Sequence, residues 1–202
     1  ERGLNFTELW IIPTYNPEGL RVVHGYFEGD NEIKDVTFRK NKRDTNNNDI
    51  FDYINGIGQD IDGVDLNRNY DFNWIFGDTL LQTCNPVVSD CSYDDDYDYY
   101  KGEYPESESE VQAIMNIAKE QNFLLSIAYH SSRSGNVDKI VVYPWAWDDK
   151  SLIVEAPGYD VIKMLGDDIA ELLLYSYSGG STKRRGNAQD WFYRETGCIQ
   201  YL

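Results

Sequence analysis

Positive charge is scarce in this 202-residue chain: 18 Lys plus Arg stand against 35 Asp plus Glu, a formal net charge of −17. A polyanion would be repelled by that balance, so nucleic acid is disfavoured as a partner. Long apolar runs are missing as well. The best candidates, such as 123–129, are strand-length, far below the roughly 20 residues that cross a bilayer, so membrane insertion is not expected. No basic and apolar leader stands at Glu1-Arg2-Gly3-Leu4, and no targeting segment is visible there. Histidine is rarer still, with only His24 and His130, and cysteine occurs three times. Against these shortages, 41% of the residues are hydrophobic, too many for a disordered chain. Length and composition together fit one acidic, soluble globular domain able to bury a core.

Several stretches announce their local structure. Leu9-Trp10-Ile11-Ile12, stopped by Pro13, suggests a buried strand, and Thr14 to Gly19 reads as a turn. The Asn/Asp/Gly-rich stretch from Asp44 to Asp65 reads as a long surface loop, and the Asp/Tyr run from Tyr93 to Tyr100 as another exposed loop. Ser107-Glu108-Ser109-Glu110 predicts a helix capped by Ser107, with Glu110 reaching back to the cap amide and Val111, Ile114, Met115 and Ala118 on its apolar face. Phe123 to Tyr129 is a continuous apolar run of the kind seen in a strand covered on both faces. A short strand follows at Ile140 to Tyr143, ended by Pro144. Val161 to Leu174 predicts a second amphipathic helix with Ile162, Leu165, Ile169, Leu172 and Leu173 inward, and Ser178 to Gly186 a flexible loop. Strands alternating with helices make the class α/β.

Cys84 and Cys91 lie close enough in a Pro/Ser/Asp loop either to close a small ring or to remain two loop thiols. Cys198 reads as a buried thiol or as half of a bond to something outside the sequence. Asn5-Phe6-Thr7 is a glycosylation sequon, which with a loop disulfide would point to an extracellular, secreted or lumenal setting.

Three features carry chemistry. His130 is set apart by its address, since ligands of open α/β sheets bind outside the carboxyl ends of strands; His24, after a turn, reads as structural. In Gly63-Val64-Asp65-Leu66-Asn67-Arg68-Asn69-Tyr70, Asn67 and Arg68 can present an amide and a guanidinium fork to one carboxylate. Phe38-Arg39-Lys40-Asn41 is a basic cluster in an acidic chain. Taken alone, the second would be a loop arginine beside a local aspartate and the third a solvated charge run.

Their order decides between these readings. Asn16-Pro17-Glu18-Gly19, Arg39-Lys40-Asn41, the string from Gly63 to Asn69, Tyr100-Lys101-Gly102 with Ser107 to Glu110, His130-Ser131 and Asp190-Trp191-Phe192-Tyr193 follow one another. Together they resemble the zinc metallocarboxypeptidase family of the pancreatic type, over nearly the whole chain. The resemblance implies a mixed, mostly parallel twisted sheet with helices on both faces, incomplete here, and Zn2+ as cofactor. It implies His130 as a zinc ligand and Arg39 as the group that steadies the scissile carbonyl and its oxyanion. Asn67 and Arg68 would grip the C-terminal carboxylate of a peptide, Gln189 and Asp190 with Trp191 would floor the specificity pocket, and Cys91 resembles a family half-cystine. The activity expected of the parent is removal of the C-terminal residue from peptides and proteins.

The pattern also breaks. The family's His-x-x-Glu zinc motif should precede the Asn16 turn, where only fifteen residues stand and none is histidine; His24 has Phe27 three residues on. One imidazole cannot hold a catalytic zinc. The general-base glutamate should follow shortly after Leu202. Residues 1–202 therefore read as a single partial catalytic domain, lacking on the order of a hundred residues before it and the base segment after it. Thr182 stands where the family often has a mobile tyrosine, with Tyr177 out of register. Gln189 is neither acidic nor apolar, and Arg184 and Arg185 hint at tolerance for acidic C-terminal side chains. Two other readings compete. One is a non-catalytic carboxypeptidase-like binding or structural module. The other is a calcium-stabilised loop at Asp44 to Asp49 with Asp52, which lacks the sixth-position glycine and closing glutamate of an EF-hand.

Overall fold

Asn16 begins the first regular element because its carboxamide accepts the amide of Gly19 at 2.9 Å while Pro17 occupies the first helical position. The segment read as a turn is thus the cap of helix α1, Pro17–His24. The structure is a computed structural model describing residues 7–53, 61–76, 99–130, 139–147, 154–175, 177–179 and 185–202. After α1 come an antiparallel pair, β1 (Tyr26–Glu28) and β2 (Asn31–Ile33), then a 3₁₀ turn at Leu66–Arg68 and another at Trp74–Phe76. Helix α2 (Ser109–Gln121), strands β3 (Leu125–Ile127) and β4 (Ile140–Val142), helix α3 (Tyr159–Leu173), strand β5 (Tyr177–Gly179), helix α4 (Ala188–Thr196) and strand β6 (Ile199–Tyr201) complete the order.

β3 pairs parallel with β6, and β4 parallel with β5. Val142 and Leu202 exchange both backbone hydrogen bonds at 2.9 Å, which links the two ladders side by side. The sheet is therefore mixed and mostly parallel, as expected. α3 packs on β4 and β5, where Val141, Tyr143, Ile162, Ala170 and Tyr201 form one core. α2 and α4 pack on each other around Met115, Val111, Tyr70, Trp191 and Cys198, a second core. A third, smaller cluster holds Val22, Ile33 and Phe38 beneath the β1–β2 pair.

Five expectations need correction. Leu9 to Ile12 forms no strand and its four side chains are exposed, because no neighbouring strand among the described residues lies over them. β3 is likewise exposed: Leu124 and Tyr129 are 84% and 83% accessible, so the run is not covered on both faces. On α3, Ile162 is buried and Leu165 and Ile169 half-buried, but Leu172 and Leu173 face outward; Gly166 and Ala170, small enough for close approach to Tyr143, take the inward positions. Ser107 does not cap α2. Its hydroxyl donates to Glu108 Oε1 and accepts from Asn69, and Glu110 takes the hydroxyl of Ser109 instead. Within 178–186, 178–179 lie in β5 and Gly186 is buried. Cys84, Cys91, Asn5, Thr182 and Arg184 lie outside the described residues, and Arg185 is half-buried. Cys198 is a free, buried thiol whose pKa burial pushes up to about 11.

Candidate active site

The Gly63–Asn69 segment is held from both sides before it can present anything. Gly63 sits at φ +92°, and a Cβ there would lie 2.3 Å from the Asn41 carbonyl oxygen, so only glycine fits. Asn41 fixes the next residue through its carboxamide, which accepts from Val64 N at 2.8 Å and donates to buried Glu108 at 2.6 Å. At the far end Asn69 donates to the carbonyls of Lys101 and Tyr104 and to Ser107, and accepts the amide of Glu108 at 3.1 Å. A buried polar network satisfied this fully rigidifies what it holds.

Asp65 opens the 3₁₀ turn by accepting the amide of Asn67 at 3.1 Å. Its other oxygen, Oδ2, lies 2.7 Å from Arg39 Nη2 and 3.9 Å from Arg68 Nε. Burial alone would raise the Asp65 carboxyl, but Arg39, Arg68, the Asn67 amide and His130 outweigh it and hold the pKa below the usual range. His130 follows β3 at the sheet's carboxyl end, exposed, as its position in the sequence implies. Arg39 and Arg68 thus converge on one carboxylate. His24, by contrast, is exposed in the last turn of α1.

Asn67 joins this group to α4. Its Oδ1 accepts the amide of Ala188 at 2.8 Å, while its Nδ2, buried, has no hydrogen-bond partner among the described residues. Arg39 Nε is in the same condition. Gly186, at φ +65°, passes so close that a Cβ would lie 2.1 Å from the Arg68 carbonyl oxygen. Asn187 caps α4 by accepting the amide of Asp190 at 3.1 Å. Asp190 accepts from Ala146 N at 2.8 Å, yet burial prevails over these bonds and moves its pKa up to about 7. Gln189 is fully buried and both ends of its carboxamide are unpartnered among the described residues; Trp191 is buried beside Tyr70.

Two concavities flank the support network, lined by Arg43, Asp44, Tyr100 and Glu108 and by Glu18, Lys42 and Glu110 among others. Neither is lined by Arg39, Asn67, Arg68 or His130. In the Asp44–Asp52 loop the carboxylates are taken up internally: Asp44 accepts the amides of Asn47 and Asp49 at 2.7 and 2.8 Å, and Asp52 the carboxamides of Asn46 and Asn48. The Tyr93–Tyr100 stretch is not exposed at its described end, since Tyr99 and Tyr100 are buried. The ring of Tyr99 lies 4.7 Å from Arg39 Cζ and 5.3 Å from Arg68 Cζ. Nothing in the spacing of an Asp/Tyr run points to that placement.

The sequence profile of the family described as zinc carboxypeptidase matches residues 2–202. The chain belongs to the zinc carboxypeptidase family. It is 25% identical over 197 residues to mast cell carboxypeptidase A of Rattus norvegicus, covering 94% of this chain and 39% of that protein. It is 24% identical over 141 residues to human carboxypeptidase A6, covering 65% of this chain and 28% of that one. Among solved structures it resembles carboxypeptidase A of Helicoverpa armigera with a TM-score of 0.57 at 21% identity, over 94% of this chain and 41% of that one. Thrombin activatable fibrinolysis inhibitor follows with a TM-score of 0.51 at 18% identity, covering 81% and 37%. The fold is therefore an α/β carboxypeptidase fold, of which this chain spans about two-fifths of the relatives' length.

The family's metal provides a test of the site. Among the described residues no group of three or more His, Cys, Asp or Glu side chains is placed to hold an ion. A catalytic zinc takes three protein ligands and an open position. His130 offers one, so the described residues do not by themselves make a zinc site.

Proposed function

We propose that this chain supplies the substrate-gripping part of a zinc-dependent exopeptidase that removes the C-terminal residue of peptides and proteins. Residues 1–202 would act as one partial carboxypeptidase-like catalytic domain, with His130 as one ligand of a Zn2+ site completed outside the described residues. The observation that carries the reading is the convergence of Arg39 and Arg68 on Asp65, beside the unpartnered Nδ2 of Asn67. A buried amide donor without a partner costs about 1–3 kcal/mol, which a ligand oxygen would recover.

In this reading Asn67 and Arg68 take the terminal carboxylate, and a cation and an amide side by side distinguish it from a neutral chain end. Arg39, the more accessible of the two arginines at 26%, donates to the oxyanion that forms at the scissile carbonyl. Such a donor is typically worth a few kcal/mol of transition-state stabilisation. Gln189 and Asp190, at the start of α4, floor the pocket for the last side chain, and Asp190 holds the 146–147 backbone against it. The partners are peptide or protein C-termini and the remaining part of the parent protein, in an extracellular, secreted or lumenal setting. No described helix is long and apolar enough to cross a membrane.

A second reading is favoured by one observation, the lack of a three-ligand metal group among the described residues: a carboxypeptidase-like module that binds C-termini without cleaving them. Zinc content and hydrolysis of a chromogenic peptide by the intact natural protein separate the two. Stoichiometric zinc with release of the last residue supports the exopeptidase; carboxylate binding without zinc or turnover supports the module.

A further inference from the structure

Among the described strands β3 pairs with β6 alone. Ala128 N donates to Tyr201 O at 2.8 Å and Leu124 O accepts from Ile199 N at 3.2 Å, so the even-numbered residues turn their backbone groups toward β6. Leu125 and Ile127 therefore turn theirs to the opposite edge, where no described strand lies. Natural edge strands are blunted by charge or proline, and Phe123 to Tyr129 contains neither. Its side chains are open as well: Leu125 and Ile127 are 42% and 49% accessible, and Leu124 and Tyr129 about twice that. The ring of Trp10 meets that of Phe123 at 5.8 Å, which sets the exposed Leu9 to Ile12 stretch beside the start of β3 and extends the apolar strip. Contiguous exposed apolar surface of this kind marks an interaction site. Beside it on β6, buried Gln200 gives Nε2 to Ser126 of β3 at 3.1 Å and keeps Oε1 without a partner among the described residues.

We propose that the open edge of β3 is a docking edge for one further strand, supplied by the part of the parent protein outside residues 1–202. This rests on the reading of residues 1–202 as a partial domain. Two observations select that occupant. The relatives match 94% of this chain with only about two-fifths of their own length, so they hold more chain beyond this region than within it. A second copy is the obvious rival, but each copy carries a formal charge of −17, and two such bodies repel. A segment of the same polypeptide also docks at a high effective concentration, without the entropy that a separate partner loses. The added strand pairs the N–H and C=O groups of Leu125 and Ile127, as strand addition does at other exposed edges, and its side chains cover the apolar strip. Because His130 directly follows β3, the docked strand lies beside the candidate site.

The test uses the intact natural protein without substitutions and reads backbone hydrogen exchange residue by residue. The amides of Leu125 and Ile127 are expected to exchange within about tenfold of Ala128, which bonds to β6; an open edge would leave them at least about a hundredfold faster. The protection should be independent of protein concentration. In a second measurement, benzoylphenylalanine in place of Tyr129 is irradiated, and the cross-link should join position 129 to a residue of the same chain outside 1–202. Fast exchange at 125 and 127 beside a protected Ala128 overturns the proposal, and it does so even where the substituted chain fails to fold. Protection that is lost on dilution, or a cross-link to another copy or to Leu9 to Ile12, also overturns it, because the edge then has a different occupant. An intact protein with no further carboxypeptidase-like sequence overturns the partial-domain reading itself, a result distinct from the others.

Discussion

Arg68 shows how much one residue is asked to do. It is buried at 4%, donates to its own neighbour's carbonyl through Nη1 at 2.6 Å, and shares Asp65 with Arg39. Arg68→Ala should therefore leave the fold in place and cost specificity. In the intact protein, acid and amide forms of one peptide should be handled alike, with KM for the acid raised at least about tenfold, the order expected of a lost charge-assisted contact. An unchanged KM for the acid contradicts the role.

Asp190 and Asp65 make opposite predictions for pH. The Asp190 carboxyl, raised to about 7 by burial, stays protonated in the folded chain after it has ionised in the unfolded one. The unfolded state then binds fewer protons, so this group lowers stability as pH rises from about 4 to 7 and adds no further slope above that. Asp65, with its pKa depressed, contributes stability above the ordinary carboxylate range that is lost as pH falls through its folded value. Thermal melts of Asp190→Asn should lack the decline between pH 4 and 7 that wild type shows. Parallel curves for the two proteins across that window contradict the assignment.

Between elements, the contacts that position the site are backbone approaches that tolerate no Cβ. Gly186 presses on the Arg68 carbonyl and Gly63 on that of Asn41. Gly186→Ala should cost more than about 2 kcal/mol, combining a forbidden contact with an unfavourable φ, and should weaken carboxylate binding at the same time. Chemical denaturation checks the first and titration the second; a loss under about 0.5 kcal/mol would show that the loop can yield. Leu172, exposed at 83% on the outer face of α3, provides the contrast, and Leu172→Gln should fall within about 0.5 kcal/mol of wild type by the same denaturation.

Elements also show where sequence reasoning succeeds and stops. The motif from Gly63 to Asn69, a strand shortly before His130 and the inward face of α2 were legible because their signals are local: a spacing, a punctuating Gly or Pro, an apolar period; on α3 only Ile162, Leu165 and Ile169 of the expected face turn inward. Burial of Leu9 to Ile12 and of β3 was misjudged because an apolar run reports affinity for cover, not the presence of it. The capping box at Ser107 lost to Asn69, a residue far away in sequence that reaches the same hydroxyl. Tyr99 was hidden for a similar reason. Its partners at 39 and 68 are distant, and no period marks a residue that serves two arginines.

For the molecule as a whole, the formal charge of −17 sets the field in which the proposed clamp would work. Two arginines on a strongly acidic body make a small positive target, and the surrounding field favours ligands whose bodies are cationic and whose tails are free carboxylates. Association of a lysine-containing peptide should slow as salt rises from about 20 to 200 mM, while a neutral peptide with the same C-terminal residue changes little. The −17 total also explains why the basic cluster at 39–41 reads as chemistry rather than as surface. Lys40 and Asn41 are buried and Arg39 is turned toward Asp65, so little of this charge is spent on solvent.

The most direct measurement follows a peptide tail into the site. A dipeptide isostere with a free carboxylate and a nitroxide on its last side chain, bound to the isotope-labelled intact protein, should broaden the resonances of the Arg39 and Arg68 guanidinium groups, the Asn67 carboxamide and the His130 ring together. The carboxamide form should leave all four sharp. Broadening confined to other surfaces, or the same pattern from acid and amide alike, would contradict the account.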